Sequence, residues 1–205
     1  MKRKLMRVLR LGLVALLTFF LASCASAPTQ EMADARSTIW AAEEIGAAPY
    51  ATEQMNEAQA ALSGAEVNLA LGDYRKAKDW ALLARDKASE ALLIAQAIKQ
   101  AEQEANIARS MGYLPVRVEI LLGRARKLVN RNPDEAIMDA QQATKLADHA
   151  INQGDLEQAQ ILLRRCQAKR RFSSQNFNQA KSQIEEGHGS AALSTLKAIC
   201  SDEKR

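Results

Sequence analysis

Residues 77–98 read AKDWALLARDKASEALLIAQAI and carry a small or apolar residue at every third or fourth position. This spacing places the repeated side chains on one face of an α-helix. Because nearly all of them are alanine, a second helix can approach that face closely. The stretch therefore predicts a long helix that packs on its neighbours through an alanine seam, which consists of Ala77, Ala81, Ala84, Ala88, Ala91, Ala95 and Ile98.

The same helical spacing recurs along most of the chain and is interrupted only at turn signals. Gly and Pro are few, aromatic residues make up 4% of the chain, and alanine, the strongest helix former, is abundant. We therefore predict an all-α protein of alanine-rich antiparallel helical hairpins, coiled-coil-like or tetratricopeptide-like. The expected breaks are at Gly46–Pro49, Gly72–Asp73, Gly112–Pro115, Asn132–Asp134, Gly154–Asp155 and Gly187–Gly189.

Two of these breaks resemble each other. Gly72-Asp73 is followed by Ala77, and Gly154-Asp155 is followed by Ala159 at the same offset. The breaks do not recur at one period, so helical hairpins of related type are expected, with a repeat solenoid as the alternative.

The first residues have the composition of a secretory signal peptide. Residues 1–10 carry five basic residues and no acidic one, and an apolar run follows over residues 11–21. That run is shorter than the ~20 residues that a spanning helix needs, although a retained membrane anchor is the alternative interpretation. We therefore predict a signal peptide over residues 1–23.

The sequence Leu21-Ala22-Ser23-Cys24 resembles the lipobox of bacterial lipoproteins. The resemblance implies cleavage between Ser23 and Cys24 and acyl chains such as palmitate on Cys24, which hold the protein at a membrane. Ala25 follows the cysteine, where an aspartate would favour retention in the inner membrane. We therefore expect a lipidated tether over residues 24–30, anchored in the outer membrane and facing the periplasm.

Removal of the signal peptide changes the charge of the protein. The full chain has 28 basic and 24 acidic residues, a net charge of +4. The signal peptide holds five of the basic residues, which leaves 23 against 24 and a net charge of −1. The high isoelectric point thus belongs to the removed segment, and we expect no nucleic-acid partner.

A second resemblance covers residues 35–105. The sequences Gly46-Ala47-Ala48-Pro49-Tyr50 and Gly72-Asp73-Tyr74 and the alanines behind them resemble an uncharacterised family of helical-hairpin lipoproteins. Its domain of unknown function often precedes an OmpA-like domain. The resemblance implies an envelope location and no catalytic residues. We expect an alanine-rich domain over residues 31–110 and a second helical region over residues 111–205, which is too helical to be an OmpA-like domain.

The residues that usually carry catalysis are sparse. The two histidines, His149 and His188, are in no metal-ligand spacing, and no phosphate-binding loop or nucleophile elbow is present. We therefore expect no catalytic residues, no metal, no cofactor and no enzymatic activity.

Two cysteines remain after Cys24 is lipidated. Cys166 and Cys200 are expected to form a disulfide in an oxidising compartment, and two separate thiols are the alternative. Around Cys166 lies a basic cluster that suits an anionic ligand, although a solvated helix face is the simpler interpretation. The cluster consists of Arg164, Arg165, Lys169, Arg170 and Arg171.

These observations favour a membrane-anchored cell-envelope lipoprotein that acts as a non-catalytic scaffold or protein-interaction module. Its expected partner is an envelope protein or a second copy of the chain. The alternative is a binding module for peptidoglycan, the cell-wall polymer, or for another envelope ligand.

Overall fold

The computed structural model describes residues 27–169 and 174–201, so the predicted signal peptide and Cys24 lie outside it. This described part of the chain consists of α-helices joined by short turns and contains no strand, which confirms the all-α prediction. The helices are α1 (Thr29–Glu44), α2 (Thr52–Ala70), α3 (Tyr74–Ser110), α4 (Val116–Leu128), α5 (Pro133–Lys169), α6 (Ser174–Glu185) and α7 (Gly189–Ser201). Helix α1 begins two residues inside the predicted tether, and no helix within the described residues is long and apolar enough to span a membrane.

The turn between α2 and α3 shows how local chemistry sets the helix boundaries. Gly72 adopts a φ of +76°, and its N–H donates to the Leu69 carbonyl at 3.1 Å. The Asp73 N–H donates to the Asn68 carbonyl at 3.0 Å, which completes a Schellman motif. The Asp73 carboxylate then accepts a hydrogen bond from the Lys76 N–H at 3.2 Å. One Gly-Asp pair therefore ends α2 and begins α3.

Helix α5 begins with a reciprocal cap. The Glu135 N–H donates to the Asn132 side-chain oxygen at 3.3 Å, and the Asn132 amide donates back to the Glu135 carboxylate at 3.1 Å. Pro133 occupies the first helical position, where its missing N–H has no intrahelical partner to lose. The predicted break at this point is present, and Asn132 caps the helix that follows it.

The chain divides into two compact units. The first contains the described residues up to Glu44 together with Glu53–Ser89, and the second contains Ile45–Thr52 and the residues from Glu90 onward. The division falls inside α3, and the domain boundary expected at residue 110 stays a prediction.

In the first unit, α2 packs antiparallel to the first part of α3. Glu57 pairs with Lys87 at 2.7 Å, and further along α2 the Trp80 ring lies against Gly64. Helix α1 is connected to α3 through the ion pair Glu31–Lys78 at 2.6 Å. The alanine seam of α3 is buried both in this unit, up to Ala88, and in the second unit, from Ala91 to Ile98.

In the second unit, the segment between α1 and α2 is held on the second part of α3. The Lys99 ammonium donates to the Ile45 carbonyl at 3.1 Å, and the Tyr50 hydroxyl donates to Glu102 at 3.1 Å. Arg126 of α4 pairs with the same Glu102 at 2.6 Å. Burial and the adjacent Glu102 charge raise the pKa of Tyr50, so its hydroxyl stays protonated and keeps donating.

The predicted break at Gly154–Asp155 was wrong, because α5 continues through both residues. Gly154 is buried against the ring of Tyr113, and a Cβ at this position would overlap that ring. The Asp155 carboxylate accepts a hydrogen bond from the Ser190 hydroxyl at 2.5 Å. The resemblance to Gly72–Asp73 is therefore not structural, since one pair forms a turn and the other provides tertiary contacts.

Helices α5 and α7 run parallel to each other, with α6 connecting them. Asn152 accepts a hydrogen bond from the Gly189 N–H at 2.9 Å near the beginning of α7. Cys166 and Cys200 form a disulfide, with their Cα atoms 6.6 Å apart, near its end. Between these contacts lies an apolar cluster, which contains Ala159, Leu162, Leu163, Ala180, Ile184, Ala192, Leu193 and Leu196.

The Gly154–Tyr113 contact predicts opposite effects for two helical glycines. We expect Gly154→Ala to lower the free energy of unfolding by about 1–3 kcal/mol, because the methyl group has no space. We expect Gly123→Ala in α4 to raise it by up to about 1 kcal/mol, because a Cβ there meets nothing and alanine favours the helix. Urea denaturation of both variants measures this difference, and equal effects would contradict the proposed contact.

Candidate functional site

The described part of the chain contains three of the five residues of the predicted basic cluster. Arg164 and Arg165 are exposed on α5, and Lys169 is the last residue of that helix. Arg170 and Arg171 lie outside the described residues, as do Ser23 and Cys24. The predicted lipid attachment and two of the five cluster residues therefore have no structural description.

The two histidines have ordinary surface positions. His149 is exposed on α5, and His188 lies in the turn before α7, where its Nδ1 is 3.4 Å from Glu186. No group of three or more potential metal ligands lies together in residues 27–169 and 174–201.

The first unit carries a shallow groove between α2 and α3, here called the tryptophan groove. Its volume is about 320 Å³, and Trp80 and Leu83 line it with roughly two fifths of their surfaces exposed. The Glu57–Lys87 ion pair forms its polar border. The complete lining is Glu57, Ala60, Ala61, Trp80, Leu83 and Lys87.

Small residues create this groove. Gly64 lets the Trp80 ring lie directly on α2, because a Cβ there would be 3.1 Å from the indole. Ala60 and Ala61 leave space above the helix backbone that larger side chains would fill. The indole is thus fixed on one side and accessible on the other, as in an aromatic anchor of a binding surface.

The second unit carries another shallow groove between α5 and α7, here called the basic groove. Its volume is about 220 Å³, and its lining is Gln158, Ile161, Leu162, Arg165, Leu193 and Lys197. Lys197 was missing from the predicted cluster because it lies on a different helix, far along the sequence from Arg165. Arg164 was in the predicted cluster but does not line the groove.

A pair of carboxyl groups lies between α3 and α5. Glu104 is partly buried, and in its protonated form it can donate a hydrogen bond to Asp148. Burial raises the pKa of Glu104 above its usual value, and the negative charge of Asp148 and the shared hydrogen bond raise it further. No local pattern in the sequence indicates this pair, because its members come from separate helices.

The fold and these grooves define a class of all-helical protein with shallow surfaces between its helices. Residues 30–110 match the model of a family described as Domain of unknown function (DUF4398). This stretch contains 81 of the 205 residues and includes α1, α2 and α3, so this part of the chain resembles an uncharacterised helical family. No curated protein and no solved structure matches the chain.

The carboxyl pair predicts a pH-dependent stability. A raised pKa means that the folded state binds the proton of Glu104 more tightly than the unfolded state. This contribution is fully present below the unfolded pKa near 4.5 and is lost as the pH rises through the folded pKa. We therefore expect Glu104→Gln to raise the melting temperature at pH 7 and to have little stabilising effect below pH 4.5.

Thermal melting followed by circular dichroism between pH 4 and pH 8 measures this effect. Glu157→Gln is a matched control, since Glu157 is exposed on α5. A Glu104→Gln variant that is less stable at pH 7, or that follows the control at every pH, would contradict the carboxyl pair.

Proposed function

We propose that the chain is a membrane-anchored cell-envelope lipoprotein that acts as a non-catalytic protein-interaction module. The observation that carries this proposal is the tryptophan groove, with its accessible Trp80 and Leu83. Tryptophan is among the residue types that are enriched in the side chains that dominate binding energy at protein interfaces. A groove between two helices accommodates an apolar side chain or the face of a helix from a partner.

The polar border of the tryptophan groove suits the same role. Interfaces commonly combine an apolar centre with a polar rim that shields this centre from water. Glu57 and Lys87 provide such a rim on one side of Trp80 and Leu83. In this proposal, Trp80 is the anchor and the ion pair orients the partner.

The envelope location is proposed from the N-terminal sequence. A signal peptide over residues 1–23 followed by the lipobox-like Leu21–Cys24 supports lipid attachment at Cys24, and Ala25 supports the outer membrane. The resemblance of residues 35–105 to hairpin lipoproteins that precede OmpA-like domains supports the same compartment. The helices would then extend from a tether into the periplasm.

The second candidate is a binding module for peptidoglycan or another anionic envelope ligand. Arg164 and Arg165 support it, because both are exposed and form no ion pair with another described residue. Sedimentation with purified sacculi tests this candidate, and Arg164→Glu with Arg165→Glu should abolish binding if these residues are the site. Unchanged sedimentation would exclude them.

The tryptophan groove can be tested by site-specific crosslinking in intact cells. We expect a photoreactive residue at position 83 to crosslink an envelope protein, and Trp80→Ala to reduce the crosslinked fraction about tenfold or more, as expected for an interface anchor. Trp40→Ala is the matched control, since Trp40 is 63% exposed on α1 and does not line the groove.

Folding of the Trp80→Ala variant is verified by its melting curve, because Trp80 also covers Gly64. Leu83→Arg is a second variant, which should disturb the packing less than Trp80→Ala does. For this variant the photoreactive residue is placed at position 60. The proposal would be contradicted if Trp80→Ala and Trp40→Ala changed the crosslinked fraction equally.

The anchor is tested by mass spectrometry of the N-terminal peptide. We expect the mature protein to begin at Cys24 and to carry acyl chains on that residue. We expect Cys24→Ala to retain residues 1–23, because in lipoproteins lipidation precedes cleavage of the signal. An unmodified Cys24 peptide, or a wild-type protein that begins at Met1, would rule out the lipid anchor.

A further inference from the structure

We propose that the basic groove docks an amphipathic helix of a partner protein, with an acidic residue of that helix placed between Arg165 and Lys197. The inference rests on the proposed role as an interaction module, and it adds a second binding surface with a stated partner chemistry. It concerns only residues of the second unit.

The apolar floor of the groove has an elongated shape. Gln158, Ile161, Leu162 and Arg165 follow one face of α5 over two turns, about 10 Å of helix. Leu193 and Lys197 follow the facing side of α7 at a spacing of one turn. Ile161 is 52% exposed, although it lies beside the apolar cluster that α5 and α7 share. An occupant that lies along the two helices would cover this surface, and a partner helix has that shape.

The charge of the groove specifies the occupant further. Arg165 and Lys197 are both exposed and line the groove, one from each helix. Neither forms an ion pair or hydrogen bond with another described residue. Arg164 adds a third positive charge on the adjacent surface of α5, and Glu157 is the nearest exposed acidic residue on the same helix. A carboxylate on the occupant would give Arg165 and Lys197 a charge-assisted partner.

Contacts at both ends of the groove fix the spacing of α5 and α7 before a partner binds. At one end, Asn152 bonds to the Gly187 carbonyl and the Gly189 N–H at 2.9 Å each, and Asp155 bonds to Ser190. At the other end, the Cys166–Cys200 disulfide joins the same two helices. The lining residues lie between these connections in both helices. A partner therefore meets a surface whose spacing is already fixed, which lowers the conformational cost of binding.

The shape of the surface favours a protein segment over a lipid bilayer. A peripheral membrane site presents several protruding apolar side chains that enter the headgroup region. Among the described residues from 150 onward, Ile161 is the only large apolar side chain that is strongly exposed, and it lies in a concave surface. A bilayer would reach the arginine and the lysine but would leave the floor of the groove uncovered.

The experiment places a photoreactive residue at position 161 of the full chain in its native cells. Position 160 is the matched control, because Gln160 is exposed on the same helix and does not line the groove. We expect position 161 to crosslink a protein segment with apolar residues at helical spacing and an Asp or Glu within one turn of them. We expect position 160 to crosslink that segment much less.

Charge reversal then tests the role assigned to the two basic residues. We expect Arg165→Glu and Lys197→Glu each to reduce the crosslinked fraction about tenfold or more, and Arg164→Glu to have a much smaller effect. Replacement of the partner's acidic residue by lysine should restore crosslinking to the Arg165→Glu variant. If charge reversal lowers stability, the neutral variants Arg165→Gln and Arg164→Gln replace the reversed ones. Arg165→Gln should then reduce the crosslinked fraction more than Arg164→Gln does.

The disulfide gives an independent readout. A synthetic peptide of the crosslinked partner segment can be used to measure binding. We expect the double variant Cys166→Ala and Cys200→Ala to bind this peptide more weakly than the wild-type protein does, because one end of the groove is no longer fixed. Its far-ultraviolet circular dichroism should stay helical.

Four results would overturn the proposal: a crosslink from position 161 to lipid, a crosslink to a second copy of the chain, no crosslink at this position, or equal effects of Arg164→Glu and Arg165→Glu. A crosslink from position 83 that persists while position 161 gives none would reject the basic groove alone. Failure at both positions would reject the interaction module itself.

Discussion

The close approach of helices through alanine is the constraint on which the rest of this structure depends. A methyl group fills little space, so helix backbones must come near each other before the buried face of α3 excludes water. The side chain of each alanine buries only one carbon, which contributes roughly 0.8 kcal/mol of transfer free energy. The large side chains Trp80 and Leu83 do not lie at the centre of this contact. They lie at its edges, where part of their surface stays exposed and forms a groove.

At two positions a glycine, which has no side chain, allows an even closer approach to the helix backbone. Gly64 and Gly154 lie inside helices, where glycine lowers stability relative to alanine, yet each accepts an aromatic ring directly on the backbone. Polar contacts supplement the thin core. Asp139 is buried with Arg124 as its partner, and the hydrogen bond to Asp139 raises the pKa of that guanidinium still further. The exposed ion pairs contribute less, since solvent and salt screen them.

The same architecture relates the fold to the proposed function. Helices that meet through small residues leave shallow elongated surfaces between them. In the tryptophan groove an aromatic anchor faces solvent, and in the basic groove two cations border an apolar floor. We propose that such surfaces bind the side chains or helices of other proteins, and that their different chemistry lets each select its own partner. The carboxyl pair Glu104–Asp148 is expected to make the stability of the second unit depend on pH.

The sequence by itself determined the helical class, the alanine seam and most helix boundaries. These features follow from residues within one or two turns of each other, such as Gly72 with Asp73 and Asn132 with Glu135. Only the tertiary structure decided the role of Gly154, because a glycine in a helical pattern ends the helix or receives a neighbour, and Tyr113 lies far away in sequence. It also decided that Lys197 joins Arg165 in one groove. Periodicity specifies which face of a helix is buried, whereas the contacts between helices specify what that face meets.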